Sequence, residues 1–577
     1  MSLSKNHEKM LSKKVGYPMF MIIASLFCFF QFTGSDLAKQ ENILWTSGYT
    51  LGTLAKSLCL GILLGGVLCF LLYSLAGRSR QEGDGAAQDN HAAGSEAAAG
   101  HKGLKGIVCF LGIFLCWLPG YLAYYPAICA YDSPVQMGQI MDGYFIDHHP
   151  IAHTLVIKGC ITIGQDIFGS VTAGVGIYAL LQMLLLAGAF TYGVMALERS
   201  GVKRHWKILA WIFCMVFPFQ LYMSVSMTKD TVFTAFFILQ MTALLKLLRE
   251  DENSFRIKSA DGVYFAAVIG MMLFRNNGKY AMLVLVAVQL LALAWGRSRR
   301  RMWGRLFLNS LLAFLAGNLL LSGIFTLTRA EQGDRREMLS LPIQQLARTM
   351  IYHGGAGVLE ADDNTMDDTD KALINDFILN NAYQYYRADL ADPVKGFTNT
   401  YVPRYRPVDF IKTYLHLLTQ YPGDFINAFL GVNAGYLYVN DVSHAYINEE
   451  EEGVGRGYVQ TYWAEEELNE RGLYKASKWE WLHGRMEQWA DTNAYLKIPV
   501  LKYLFVPGTY LWMYLFLFAY LMLHKRFRAC IPLALVFGYF ITLLLGPTVQ
   551  MRYIYPLMTV LPFVALLQGK GDHFEVS

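Results

Sequence analysis

Five short polar clusters interrupt an otherwise strongly apolar chain. They read Tyr131-Asp132-Ser133-Pro134, Asp147-His148-His149-Pro150, Lys229-Asp230, Arg275-Asn276-Asn277-Gly278-Lys279 and Arg552-Tyr553. Lysine and arginine at a membrane interface can hold a phosphate or pyrophosphate through charge-assisted hydrogen bonds. A carboxylate among them can take the proton of a hydroxyl, as a general base. The two roles pull against each other. Neighbouring cations lower a carboxylate's pKa and weaken it as a base, while burial pushes it back up. Asp132, His148 and His149 are the candidate catalytic residues. Tyr131, Asp147, Lys229, Asp230, Arg275, Asn276, Lys279, Arg552 and Tyr553 are the candidate substrate- or phosphate-binding residues.

Each cluster also has a plainer reading. Lys229-Asp230 can be a local ion pair at a helix start. Arg275 and Arg552 can snorkel to lipid headgroups. Asp132 can be an N-cap. His148-His149-Pro150 can be a turn before a juxtamembrane helix, with Asp147 fixing a histidine tautomer. Adjacent histidines on one helix have poor ligand geometry, so a divalent metal is the weaker use of them. No metal ligand and no cofactor is assigned.

The elements that must position these residues follow from composition. The chain has 577 residues, of which 54% are hydrophobic and 16% charged, and its mean hydropathy is +0.29. That balance excludes disorder, a coiled coil and a collagen-like chain. It predicts an all-α polytopic membrane protein with a water-exposed part. A net charge of +4 is too small to imply nucleic acid. A spanning helix needs roughly 20 mostly apolar residues. Twelve stretches come near this, at 17–32, 50–75, 106–127, 172–197, 208–223, 231–247, 261–274, 280–295, 306–327, 503–523, 529–546 and 552–568.

Lys and Arg crowd alternate connections, most densely at Arg297, Arg299, Arg300, Arg301 and Arg305, with Lys5, Lys9, Lys13 and Lys14 at the N-terminus and Lys570 after the last stretch. By the positive-inside rule both termini are expected in the cytoplasm. The polar clusters then fall on the outer face, where positive charge is otherwise sparse, so Lys229, Arg275 and Arg552 need a reason. The nine Cys show no C-x-x-C spacing and read as small buried hydrophobes.

The expected organisation has five parts. Residues 1–76 hold two transmembrane helices, and 77–103 form a Gly/Ala-rich flexible cytoplasmic linker. Residues 104–327 hold seven helices and an outer loop at 128–170. Residues 328–502 form a mostly helical extracytoplasmic domain, and 503–577 hold three more helices and a short tail. In the insert, helices are expected over 370–386, over 409–418 and after Asp424. The acidic run from Asp362 to Asp370 and the run Glu449–Glu452 read as solvated surface. Tyr383–Tyr386 and Tyr458–Trp463 read as core aromatics that could alternatively stack on sugar rings.

Taken together, the Tyr131-Asp132 loop, Asp147-His148-His149-Pro150, Lys229-Asp230, Arg275-Asn276-Asn277 and Arg552-Tyr553 with Pro556 resemble the GT-C superfamily of membrane glycosyltransferases. They look most like uncharacterised bacterial members with a Tyr-Asp-Ser/Gly-Pro loop and a His-His-Pro motif. The resemblance covers 104–327 and 500–568. It implies a polytopic helical core and an acidic residue essential for catalysis in the first large outer loop. It implies a polyprenyl-phosphate sugar donor and a glycan or lipid acceptor in the bacterial cell envelope. On that resemblance Asp132 is the general base, and transfer takes place on the outer side of the plasma membrane. The paired acidic Asp-Glu of protein O-mannosyltransferases is missing, and two helices precede the shared module. A transporter or flippase for lipid-linked glycans, or a polymerase of them, is the competing class. A non-catalytic membrane scaffold is a third.

Overall fold

The computed structural model describes residues 2–40, 42–83, 95–198, 200–249, 255–296, 299–333, 335–355, 365–440 and 459–569. Arg297, Asp362-Asp363-Asn364, Glu449–Glu452, Tyr458 and the middle of the expected linker lie outside them. The described chain is helical throughout, with four isolated β-bridges and no longer strand. Twelve helices lead up to the insert. They are α1 (Ser2–Gln40), α2 (Ser47–Gly83), α3 (Ser95–Ala123), α4 (Ser133–Asp142), α5 (Ile151–Phe168), α6 (Val171–Glu198), α7 (Arg204–Val216), α8 (Pro218–Val225), α9 (Lys229–Arg249), α10 (Ser259–Phe274), α11 (Asn276–Trp295) and α12 (Arg300–Thr328). After the insert come α23 (Pro507–Leu523), α24 (Ile531–Leu544) and α25 (Met551–Gly569).

Among the described residues nine helices are long and apolar enough to cross a membrane, or ten if the bent pair α7–α8 is one span. The protein is an all-α, multi-pass membrane protein. The twelve apolar stretches all coincide with helices, but two of these, α10 and α23, are short. The 208–223 stretch is broken, and the reason is covalent. Pro218 opens α8, and Phe217 before it is extended (φ −63°, ψ 122°), so the two halves meet at 48°. Pro507 likewise divides the last stretch of the insert from α23. The expected linker is helical on both sides of 84–94, since α2 runs on to Gly83 and α3 resumes at Ser95. Alanines 97–99 in that stretch are strong helix formers.

α9 is the axis of the bundle. It packs on α6, α10 and α25, and is buried on nearly every side. α5, read from sequence as part of a loop, forms a tight antiparallel pair with α6. A Cβ on Gly164 would strike the Gly174 backbone, so the approach needs glycine. Five cysteines are buried, but Cys59 and Cys116 are exposed on the outward faces of α2 and α3. They fit the lipid-facing sides of spans instead of the expected core.

The insert divides by its packing. Helices α13 (Ser340–His353), α14 (Asp368–Phe377), α15 (Asp392–Lys395), α16 (Tyr401–Tyr405), α17 (Pro407–Gln420) and α18 (Pro422–Val432) enclose a small core of Ile343, Leu346, Ile374, Phe377, Leu417 and Phe425. The following helices α19 (Ala434–Leu437), α20 (Glu465–Glu470), α21 (Glu480–Asp491) and α22 (Pro499–Leu504) lie against the membrane helices. Tyr436, Met486, Tyr495 and Phe505 belong to the main core. The helix expected over 370–386 stops at Phe377, because Asn380 and Asn381 adopt left-handed φ and Leu379 N–H donates to Phe397 O instead. α18 starts at Pro422, before Asp424, since proline suits the first helical position. The acidic run is not all solvated. Asp367 caps α14, and Asp370 is buried against His416 (3.0 Å) and Tyr421.

The α1–α2 connection is pinned to this domain. Asn427 donates to Asn42 Oδ1 (2.7 Å) and Ile43 O (3.0 Å) and accepts from Trp45 Nε1 (2.9 Å). Arg348, also buried, reaches Asn42 at 2.7 Å.

Candidate functional site

The polar clusters lie on connections at one end of the bundle. The Asp132 loop is stitched to the loop that opens α9. Ile128 N–H donates to Val225 O and Met227 N–H to Ile128 O, both at 2.9 Å, while Ser133 Oγ donates to Met227 O at 2.6 Å. Tyr131 turns the chain through the left-handed region (φ 59°), which costs a bulky side chain about 1–3 kcal/mol. The turn is held from the insert. Tyr462 Oη donates to Tyr131 O and Gln460 N–H to Tyr131 Oη, both at 3.3 Å. Asp132 sits in the N-cap position of α4 but makes no capping bond. Its carboxylate turns to cations instead.

Lys229 Nζ lies 2.6 Å from Asp132 Oδ2. Arg552 reaches the same carboxylate from α25, at 3.2 Å to Oδ2 and 3.5 Å to Oδ1. Below it Asp230, fully buried in the first turn of α9, accepts from Arg275 and lies 3.5 Å from Arg552. Arg275 occupies the single extended residue between α10 and α11 (φ −158°, ψ 131°), which aims its guanidinium inward. Tyr553 lies between the two guanidiniums, 4.7 Å from that of Arg275 and 4.9 Å from that of Arg552. Arg552 also covers Tyr131 at 4.4 Å and donates to Gln550 Oε1 at 2.6 Å.

These contacts rule out two of the plainer readings. Lys229 pairs with Asp132, 97 positions away in the chain, and not with Asp230 beside it. Arg275 and Arg552 are each only 6% exposed, which excludes snorkelling to lipid. Three cations face two carboxylates, so the cluster carries one net positive charge. Asp132 and Lys229 keep 16% and 15% of their side chains accessible, whereas Asp230 is sealed. An arriving anion meets Lys229 and Asp132 first.

Burial raises the Asp132 carboxyl, but Arg552, Lys229 and His149 outweigh it and hold it well below the usual carboxylate range. In the unliganded protein it is a firmly ionised, weak base. His149 is buried, and its Nδ1 lies 3.1 Å from Lys229 Nζ. Burial first and the Lys229 charge second push its pKa down to about 3, so it is neutral and accepts from the ammonium.

The other predicted residues are spread around the rim. His148 is exposed, edge-on to His149 and 4.0 Å from Glu337. Asp147 lies near Lys279, and burial raises its carboxyl more than Lys279 and His148 lower it. Asn276 is exposed and does not join the cluster. Its neighbour Asn277 points inward, accepting from Arg275 Nε (3.5 Å) and donating to Thr542 (2.7 Å). His153 is buried between Gln136 and Tyr178, a packing role. Sequence reasoning missed Tyr462 and Gln460, which hold Tyr131, and Tyr539, whose ring lies 5.8 Å from the Arg275 guanidinium. Tyr462 stood in an aromatic stretch, but nothing local tied it to Tyr131. Among the described residues no three His, Cys, Asp or Glu side chains are grouped to hold a metal ion.

No curated protein and no solved structure matches the chain. Residues 137–573, most of the chain and all but the Asp132 loop of the cluster, match a family of unknown function, and the protein therefore belongs to the DUF6020 family.

Proposed function

We propose that this protein is a membrane glycosyltransferase of the GT-C type, moving a sugar from a polyprenyl-phosphate donor to an acceptor hydroxyl of a cell-envelope glycan or lipid. In this reading it sits in the bacterial plasma membrane with both termini cytoplasmic and the cluster outside. The observation that carries it is the lone accessible carboxylate of Asp132 held between Lys229 and Arg552. A phosphodiester carries one negative charge, which matches the net charge of the cluster.

The donor phosphate engages Lys229 and Arg552 and takes over their pairing with Asp132. The carboxylate then regains basicity, because the cations that depressed it are shared. Asp132 accepts the acceptor's hydroxyl proton as that oxygen bonds to the anomeric carbon. The carbon–oxygen bond to phosphate breaks, its electron pair leaves with the lipid phosphate, and configuration inverts. The guanidiniums and the ammonium stabilise the leaving charge, held in place beforehand by Asp230, Gln550 and His149. His149 positions Lys229 through its unprotonated Nδ1 and transfers no proton in the step.

The test is release of free lipid phosphate from short-chain polyprenyl-phosphate sugars by purified protein. Asp132→Asn is expected to lose about 10²–10⁴-fold in rate while expressing normally. Full activity in that variant removes the base. Reporter fusions at each terminus test the orientation.

A flippase for lipid-linked glycans is favoured by one observation, the 48° break between α7 and α8. It predicts movement of intact lipid-linked sugar across proteoliposomes with no free lipid phosphate formed.

A further inference from the structure

A second recess opens on the far side of the chain segment that walls the charged cluster. Successive side chains of residues 460–463 part to its two sides. Tyr462 reaches the Tyr131 carbonyl, while Thr461 and Trp463 turn into the recess. Its base is formed by Tyr124 and Ile128, just upstream of Asp132 in the chain, and its mouth by Lys475, Ser477 and Glu480. The enclosed space is about 50 Å³, and the rest of the recess opens to solvent at its mouth.

Three polar atoms are buried here: Trp463 Nε1 has no hydrogen-bond partner, and the Tyr124 and Thr461 hydroxyls have only each other. Tyr124 and Thr461 are only 5% and 6% exposed. Leaving such a group unsatisfied costs about 1–3 kcal/mol, which argues that something with hydrogen-bonding groups occupies the space. The walls combine aromatic faces with hydroxyl, ammonium and carboxylate groups. His483 stands edge-on to the Tyr124 ring at 4.8 Å, and Lys478 lies over Tyr125 at 5.0 Å. Rings that offer apolar faces, beside short polar side chains, suit a pyranose, which has apolar C–H faces and a rim of hydroxyls. The recess is anchored to the same backbone as the cluster. Ala476 N–H donates to Tyr125 O (3.1 Å) and Lys478 N–H to Leu122 O (2.8 Å).

We infer that this recess is a saccharide-binding subsite that seats a pyranose of the acceptor, next to the cluster that holds the donor phosphate. The inference rests on the transferase reading for the word acceptor, but the binding of a sugar here does not. Its specificity is set by Thr461, Trp463 and Tyr124 at the base, with Lys475 and Glu480 selecting among substituents at the mouth.

The test is binding of a panel of methyl pyranosides (glucose, galactose, mannose and the two N-acetylhexosamines) to the full-length protein in detergent. Saturation-transfer NMR and intrinsic tryptophan fluorescence read it. At least one glycoside is expected to bind. Thr461→Val, nearly isosteric, should weaken it by about fivefold or more, and Trp463→Ala further. The subsite is overturned if no glycoside gives a signal with folded protein, or if binding persists undiminished in Thr461→Val and Trp463→Ala. Sugar binding without transfer from any lipid-phosphate donor overturns the transferase reading alone. Transfer whose acceptor KM is unmoved by both substitutions overturns the subsite alone.

Discussion

Asp132 competes with any anion for Lys229 and Arg552, so neutralising it should separate binding from turnover. Asp132→Asn keeps the side chain's shape and removes one negative charge from between an ammonium at 2.6 Å and a guanidinium at 3.2 Å. A phosphate seated on those cations lies about 6 Å from the carboxylate, where like charges repel by about 3 kcal/mol at an effective dielectric constant near 20. Partial exposure and salt reduce this to about 1.4 kcal/mol, or roughly tenfold in affinity. The variant is therefore expected to bind dodecyl phosphate roughly tenfold more tightly than the natural protein while transferring sugar about 10²–10⁴-fold more slowly. Calorimetry in detergent measures the first quantity, and release of free lipid phosphate the second. Equal or weaker anion binding in Asp132→Asn would refute the idea that carboxylate and phosphate share the same cations. The weaker pairing of a neutral amide with Lys229 and Arg552 should also lower stability, by about 1–3 kcal/mol.

Three further outcomes follow from the same geometry. Lys229→Gln and Arg552→Gln should each weaken dodecyl phosphate binding by about ten- to a hundredfold, and the residual affinity should depend less steeply on salt. Arg552→Gln should also cost about 3–5 kcal/mol, since it leaves Asp132 and Asp230 short of a partner, and thermal melting reads that. Stability should fall on acidification from neutral pH. The folded-state pKa of His149 is depressed to about 3, so its contribution is full above the unfolded value near 6.5 and is lost below it, at up to about 1.4 kcal/mol per pH unit. The Asp132 pKa is also depressed, so its contribution holds above the ordinary carboxylate value and disappears as pH drops further. A melting series from pH 7 to about pH 4 should show the first loss in the natural protein and not in His149→Asn. Asn427→Leu should remove three hydrogen bonds that pin the α1–α2 connection, for a loss of about 2–4 kcal/mol. Proteolysis should then cut near residues 42–46 sooner than in the natural protein.

Some of this molecule is written locally in the chain. Hydrophobic runs of span length specify the long helices, because each helix satisfies its own backbone hydrogen bonds and only the apolar length has to match the bilayer. The break at Pro218 is local in origin, since a proline and the residue before it restrict the backbone wherever they fall, yet the apolar run 208–223 reads as one unbroken stretch. The polar clusters were legible as exceptions to an apolar background. α5 was hidden because its apolar positions, Ile151, Ile157 and Ile161 among them, sat in a stretch bounded by polar clusters. The early end of α14 was hidden because Phe397, a distant residue, supplies the competing carbonyl.

The partners inside the cluster belong to tertiary structure alone. Sequence adjacency suggested Lys229 with Asp230, yet Lys229 turns to Asp132 while Asp230 takes Arg275 and Arg552. Ion pairing falls off over a few ångströms and depends on burial, and neither quantity can be read from spacing along a chain. The low pKa of Asp132, the neutrality of His149 and the wall made by Tyr462 all depend on how α3, α9, α25 and the insert meet at one end of the bundle. Residue types and apolar lengths were local properties, and the sequence carried them openly. Which charges share a site is a matter of distance in space, and only packing decides it.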